Sequence, residues 1–331
     1  MNKKALKLKL SYLALAAASA NWIVAPAMAD ADGDAAGTTY TYNYNVNVPY
    51  TDPTGFNVSV VNLTEINDSN TVAGTINDGY NNFIFVNNTV VSYDGTLTLN
   101  GLNDSGAIIG NDNTAEFYST SSNYTSSAPT AGVAALADAY PTYAGITNNG
   151  TVYGSANPLP GEGYTFLFTY NVANQTYQKA ELPFLTSACG ATQGSVSVQI
   201  TAVSSNGVWV GGAYTDNDGS FGDFGYNTLT QQYIKFNRTT PNATVVNSNV
   251  TGINNSGVAV GTTTTTNATY GYAYNVAGQF WVNKQITDPK ASGGGTYVTG
   301  INNNGVIVGN STAVNTAEPG SPNYVFIATP H

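Results

Sequence analysis

The chain of 331 residues carries nine basic and nineteen acidic residues, one histidine and one cysteine, and only 8% of it is charged, against about 25% in an ordinary domain. A formal charge of −10 repels nucleic acid and anionic lipid, and a lone cysteine excludes an internal disulfide framework. The lone histidine, His331, leaves no internal imidazole for a nucleophile's proton and no multi-histidine metal centre. Solubility falls to Asn, Thr, Ser, Gly and Tyr, a surface that suits an acidic exterior and a glycan-facing protein equally.

Lys3, Lys4, Lys7 and Lys9, an apolar stretch over residues 13–24 and the small-x-small sequence Ala27-Met28-Ala29 follow one another at the start. That is the order of a secretory signal peptide, and a retained membrane anchor would need a longer apolar run. Residues 1–29 are therefore expected to be removed, leaving a secreted or periplasmic protein of residues 30–331 with no membrane span. Four of the nine basic residues leave with the leader, so five remain against nineteen acidic. The remaining length fits one closed all-β domain.

Residues 40–48, Tyr-Thr-Tyr-Asn-Tyr-Asn-Val-Asn-Val, alternate as a half-buried strand does. Beyond them the same ten-residue motif occurs six times, at 65–74, 101–110, 145–154, 202–211, 252–261 and 300–309. The fifth copy reads Gly252-Ile253-Asn254-Asn255-Ser256-Gly257-Val258-Ala259-Val260-Gly261. An aliphatic residue ends one strand, Asn, Asp or Ser caps a turn, and glycine supplies the left-handed residue from which the next strand starts. Asn70 stands in place of that glycine in the first copy, and Asn tolerates positive φ better than most side chains. A second glycine recurs four residues later, at Gly74, Gly110, Gly154, Gly211, Gly261 and Gly309, which predicts one shared packing need.

The spacing between copies matches a propeller blade of about 40 to 50 residues. A second pair of strands is predicted between hairpins, at 164–170 with 176–182, 224–227 with 232–236, and 270–276 with 279–286. Residues 119–140, rich in Ser, Thr and Ala, read as an irregular insertion in the second unit, with a short helical turn at 133–139. The last unit stops at its third strand, 324–327, and residues 40–48 are placed to supply its fourth. The fold class is therefore all-β: a six-bladed β-propeller of four-stranded antiparallel blades, with the N-terminal strand closing the last blade. Closure removes exposed sheet edges; the alternative is a β-solenoid.

At its hairpins the sequence resembles the bacterial extracellular HAF-type repeat family, whose units carry a Gly-Ile-Asn-x-x-Gly-x-Val-Val-Gly-like turn followed by a His-Ala-Phe strand. The resemblance runs from Glu65 to Ile327. Tyr272-Ala273-Tyr274, Tyr164-Thr165-Phe166 and Tyr324-Val325-Phe326 stand where that family has His-Ala-Phe, so the aromatic character is kept without the histidine. The resemblance implies an exported β-repeat protein and brings no catalytic residues.

For chemistry, the sequence offers little. Cys189 has no basic neighbour to lower its pKa and reads as a packed or loop thiol. Glu65, Glu116, Glu162, Glu181 and Glu318 are scattered, although two converging carboxylates suffice for a glycosidase or polysaccharide lyase. Asp216, Asp218 and Asp223 form the one acidic cluster and are candidate calcium ligands, against the plainer reading of a polar turn; an EF-hand alignment puts Tyr214 at the first ligand position. Trp209, Trp281 and the tyrosines could stack on sugars or pack between blades. Sequons occur at Asn57, Asn123 and Asn267. The expected function is an exported, non-catalytic binding or structural module with no cofactor beyond that calcium option, its partner a polysaccharide or a cell-surface protein; the alternative is a carboxylate-pair enzyme.

Overall fold

Asn254 shows why the motif turns the chain. Its side-chain Oδ1 accepts from the main-chain N–H of Ser256 and of Val258 at 3.1 and 3.0 Å, replacing the partners that the turn denies these donors. Gly257 then adopts φ of 74°, which an L side chain resists. Asn67, Asn103 and Asn302 hold their own turns in the same way, and Asn70 takes the positive φ, 59°, in the first copy.

The structure, a computed structural model, describes residues 37–49, 60–77, 82–93, 98–111, 116–120, 123–127, 133, 136, 140–157, 165–180, 197–215, 220–236, 243–291, 293–312 and 323–331. The expected leader, 1–29, lies outside them. The strands are, in order, β1 (Tyr40–Asn43), β2 (Val60–Ile66), β3 (Val72–Asn77), β4 (Asn82–Val86), β5 (Thr89–Tyr93), β6 (Thr98–Leu102), β7 (Ile108–Asn111), β8 (Glu116–Thr120), β9 (Asn123–Ser127), β10 (Tyr140–Ile146), β11 (Thr151–Asn157) and β12 (Phe166–Asn171). There follow β13 (Thr176–Ala180), β14 (Ser197–Val203), β15 (Trp209–Thr215), β16 (Phe221–Asn227), β17 (Gln232–Phe236), β18 (Val245–Ile253), β19 (Val258–Thr265), β20 (Thr269–Asn275), β21 (Phe280–Ile286), β22 (Thr296–Ile301), β23 (Ile307–Thr312) and β24 (Asn323–Pro330). Among the described residues no helix is long and apolar enough to cross a membrane.

These strands form four-stranded antiparallel sheets, the blades of a β-propeller. Six such sheets occur, with orders β2-β3-β4-β5, β6-β7-β8-β9, β10-β11-β12-β13, β14-β15-β16-β17, β18-β19-β20-β21 and β1-β24-β23-β22. In the last, β1 runs antiparallel to β24 with Tyr40 opposite Pro330 and Asn43 opposite Ile327. Residues 44–48, expected within that strand, do not pair with β24 and instead bury Val46 and Val48 beside Leu63 and Val308. Apolar clusters join neighbouring sheets. Ile84 and Val86 meet Leu99 and Ile108, Phe236 and Trp209 meet Tyr272 and Val250, and Val260 meets Val298 and Phe326.

Each first strand of a blade carries a bulge before its hairpin, as between Val250 and Gly252 or Leu63 and Glu65. The bulge turns a main-chain carbonyl toward the second strand, and this is the packing need behind the recurrent glycine. A Cβ on Gly261 would lie 2.1 Å from the Asn249 oxygen and 2.4 Å from the Tyr272 hydroxyl. In the fourth unit the residue in this place is Gly212, whose Cβ would lie 2.1 Å from Gln199 O, and not Gly211 as the motif suggests. That hairpin is one residue longer: Ser204 N–H reaches Trp209 O, where Asn254 N–H reaches Val258 O.

Opposite these glycines lie Phe85, Phe168, Phe224, Tyr272 and Phe326, all fully buried. Hence Tyr272 corresponds to Phe168 and Phe326, and the triplets beginning at Tyr164 and Tyr324 are out of register with the one beginning at Tyr272. Loops of unequal length separate the second and third strands, and cross-strand pairing, not distance along the chain, sets the register. Residues 119–140 hold a fourth strand, β9, with Tyr118 opposite Ser127, so an insertion beginning at 119 is corrected; an outer strand needs no apolar face. Of the expected helical turn, Val133 and Leu136 are described, joined by a 2.9 Å hydrogen bond from Leu136 N–H to Val133 O.

Candidate functional site

The six motif hairpins meet around one axis. The Asn67 side-chain amide donates to Asn103 O, Asn103 to Thr147 O, Asn254 to Asn302 O, and Asn302 to Asn67 O, each at 3.1 or 3.2 Å. A second circle runs above the first through main-chain N–H donors. Asp68 donates to Asp104 Oδ1, Asp104 to Asn148 Oδ1, Asn148 to Ser205 O, Asn206 to Asn255 Oδ1, Asn255 to Asn303 Oδ1, and Asn303 to Asp68 Oδ1, at 2.7–3.0 Å. Each tip thus orients its neighbour, and the amide and carboxylate groups of the mouth are held in fixed positions.

The mouth is part of a channel of about 50 Å³, lined by residues of β2, β6, β10, β14, β18 and β22 and their turns. Glu65, Asp68 and Asp104 are its carboxylates. Asp68 and Asp104 are engaged by the second circle, and Asn303 Nδ2 also donates to Asp68 Oδ2 at 2.6 Å. Glu65 is only partly exposed and lines the channel. Enclosure pushes its pKa well above the ordinary carboxylate value.

The sequence-derived candidates fall elsewhere. Asp223 stands in β16, fully buried between two blades, and its Oδ2 accepts from Ser248 Oγ and from the Tyr272 hydroxyl at 2.9 Å. Its Oδ1 is buried without a hydrogen bond. Burial pushes its pKa up to about 7, against the pull of its donors Ser248, Tyr272 and the Val250 main chain. Asp216 and Asp218 lie outside the described residues, as do Cys189, Glu162, Glu181 and Glu318; of Glu116 only its place in β8 is described. Among the described residues no three carboxylate, imidazole or thiol groups converge on a metal position. His331 is tied to the start of the domain, its N–H donating to Thr39 O at 3.0 Å and its Nδ1 lying 3.3 Å from Thr41 Oγ1.

Both tryptophans among the described residues are used in packing. Trp209 is buried against Gly257 of the next hairpin, and Trp281 lies 4.9 Å from the Tyr274 ring and 5.7 Å from that of Tyr272. Sequence alone does not single out the mouth, because an Asp in a turn reads as a cap of that turn, whereas Asp68 and Asp104 each cap a neighbour. A signal for Glu65 was present: it occupies the position held by Gly101, Gly145, Ala202, Gly252 and Gly300 in the other copies.

No protein-family model matches the chain, and no curated protein is similar to it. Among solved structures it is similar to TolB from Acinetobacter baumannii, at 10% identity and a TM-score of 0.43, over 82% of this chain and 63% of TolB. It is also similar to the Dos1 propeller, at 9% identity and a TM-score of 0.40, over 86% of this chain and 81% of that one. An oligogalacturonate lyase in complex with manganese is similar at 9% identity and a TM-score of 0.42, over 89% of this chain and 97% of the lyase. The chain thus spans less than two thirds of TolB's length.

Proposed function

We propose that the protein is an exported binding module: a closed ring of six blades, with β1 as the outer strand of the last, that takes a hydroxyl-rich ligand, a polysaccharide, at the mouth of its channel. The observation that carries this reading is the circle formed by Asp68, Asp104, Asn148, Ser205, Asn255 and Asn303. Its groups are mostly uncharged donors and acceptors held in fixed positions, and exposed amides and hydroxyls of Ser69, Asn149, Asn206, Ser256 and Asn304 surround them. Sugar hydroxyls pair with such groups without the desolvation cost of burying a charge. The Lys-rich start, the apolar stretch and Ala27-Met28-Ala29 support export.

Thermal denaturation of the purified protein across bacterial and plant polysaccharides tests the reading, since a ligand of the native state raises the melting temperature. A shift with one glycan class that is lost in Asn148→Ala and Asn255→Ala supports it. The absence of any shift overturns it in favour of a protein partner or a structural role. The proximity of Asp68, Asp104 and Glu65 favours a second reading, a glycosidase or lyase. Release of sugar fragments that stops in Asp104→Asn would establish that reading instead.

A further inference from the structure

The first residue of the motif is small in five copies: Gly101, Gly145, Gly252, Gly300 and Ala202. The reason is close approach of the inner strands. A Cβ on Gly101 would lie 2.7 Å from Gly145 Cα, and one on Gly252 3.1 Å from Gly300 Cα. At this level the channel wall is therefore main chain, and the inner edge of each first strand has no further strand to pair with. Glu65 alone places a long side chain here. Its carboxyl has no hydrogen-bond or ion-pair partner among the described residues, and the four described lysines stand far out in the blades. Lys179, Lys235 and Lys284 are on the outermost strands, and Lys290 lies over the Tyr44 ring.

An enclosed carboxylate without a partner is costly, and it is relieved by a counter-ion or by a proton. The channel volume, about 50 Å³, admits roughly three to five waters, or one ion with part of its hydration shell. The channel-lining residues offer oxygen atoms and amide nitrogens, which do not ligate metals, with no sulfur or imidazole among them. Oxygen-only sets select hard cations, and an irregular set of carbonyl, amide and carboxylate oxygens suits calcium better than magnesium, which demands a near-ideal octahedron.

We propose that the channel holds one hard cation of the calcium class, with the Glu65 carboxylate as its only charged ligand and main-chain carbonyls, Asn side chains and water completing the shell. Asp68 and Asp104 at the mouth draw the ion in without ligating it. With one carboxylate the affinity falls in the weak class of extracellular calcium sites, a Kd of roughly 0.1–1 mM. The proposal does not rest on the polysaccharide reading, because it needs no sugar and its test reads calcium alone.

The test is calorimetric and thermal titration of the chelator-treated protein with calcium chloride, against magnesium chloride and against sodium chloride of equal ionic strength. We expect one saturable site and a rise in melting temperature of about 3 °C or more at 10 mM calcium, with a smaller rise for magnesium. Glu65→Ala installs the residue that Ala202 already provides at this level, so it preserves the fold; it and Glu65→Gln should lose the calcium response and melt no lower than the wild type in its absence. Asp68→Asn should keep the site with less than a tenfold change in Kd. No calcium response in the wild type, which would mean that a proton satisfies Glu65, overturns the proposal. So does a response retained in full by Glu65→Ala, which would place the ion elsewhere.

Discussion

Asn302 donates its side-chain amide to the main-chain oxygen of Asn67 at 3.1 Å, across 235 positions of sequence. The same amide lies 2.9 Å from Asn70 Oδ1, and its carbonyl holds the N–H groups of Asn304 and Val306. One side chain therefore caps its own turn and joins the last motif hairpin to the first.

Asn302→Ala should leave buried groups unpaired on both hairpins and destabilise by about 2–4 kcal/mol. Asn302→Ser should cost less, because Ser204 shows that a hydroxyl can still cap the turn by accepting from Trp209 N–H at 2.9 Å. Urea unfolding of the two variants measures the difference. Equal losses would mean that the link to Asn67, and not the cap, carries the effect.

The register of the fourth unit makes a sharper comparison. Gly261→Ala and Gly212→Ala each drive a methyl into a main-chain carbonyl and should cost more than about 3 kcal/mol. Gly211→Ala meets only a side-chain methyl, Val250 Cγ1, at 2.7 Å, and should cost about 1–2 kcal/mol. Melting temperatures falling in the order Gly211→Ala, then the other two together, would establish the equivalence; a larger loss at Gly211 would overturn it.

That equivalence marks how far the sequence could be read. Hairpins were legible because Asn, Gly and the flanking aliphatics act within a few residues of one another. The pairing of Phe168 with Gly154 and of Phe326 with Gly309 was not, because it depends on loops whose lengths differ from blade to blade. β9 was missed because an outer strand of Asn, Tyr, Thr and Ser carries no apolar alternation. The channel was half visible: the column of five small residues and one Glu65 stood in the aligned copies, but nothing local says that the column faces an axis.

Asp223 predicts a pH dependence. Folding raises its pKa from 3.8 to about 7, so between those values the native state binds the proton that the unfolded chain has released. Stability is therefore greatest below pH 4 for this group and is lost as pH rises through 7, by on the order of 4 kcal/mol at most. Asp223→Asn imitates the protonated form and should flatten the profile. Urea unfolding at pH 5 and pH 8 should show the wild type losing more stability at the higher value than the variant, in which only the raised Glu65 carboxyl still contributes a loss of this sign; parallel profiles would refute the assignment.

The segment after β1 is held by Tyr44, whose hydroxyl donates to Asp288 and whose ring lies 3.5 Å from Lys290 Nζ. Tyr44→Phe should cost about 1.5–3 kcal/mol, as for a hydrogen bond to a charged acceptor, and Lys290→Ala about 0.5–2 kcal/mol. Limited proteolysis should cut both variants sooner within 44–49 than elsewhere. Cleavage spread evenly over the loops would argue that Tyr44 does not dock this segment.

The extra residue in the hairpin between Ser204 and Trp209 is an insertion that the architecture has already accepted. The circle of tips stays unbroken there, and the glycine opposite Phe224 is merely supplied one position later. Length at a tip is thus decoupled from the integrity of the blade beneath it. A lineage, or a designer, can respell the rosette one hairpin at a time, changing the groups that the tips present while leaving the framework intact.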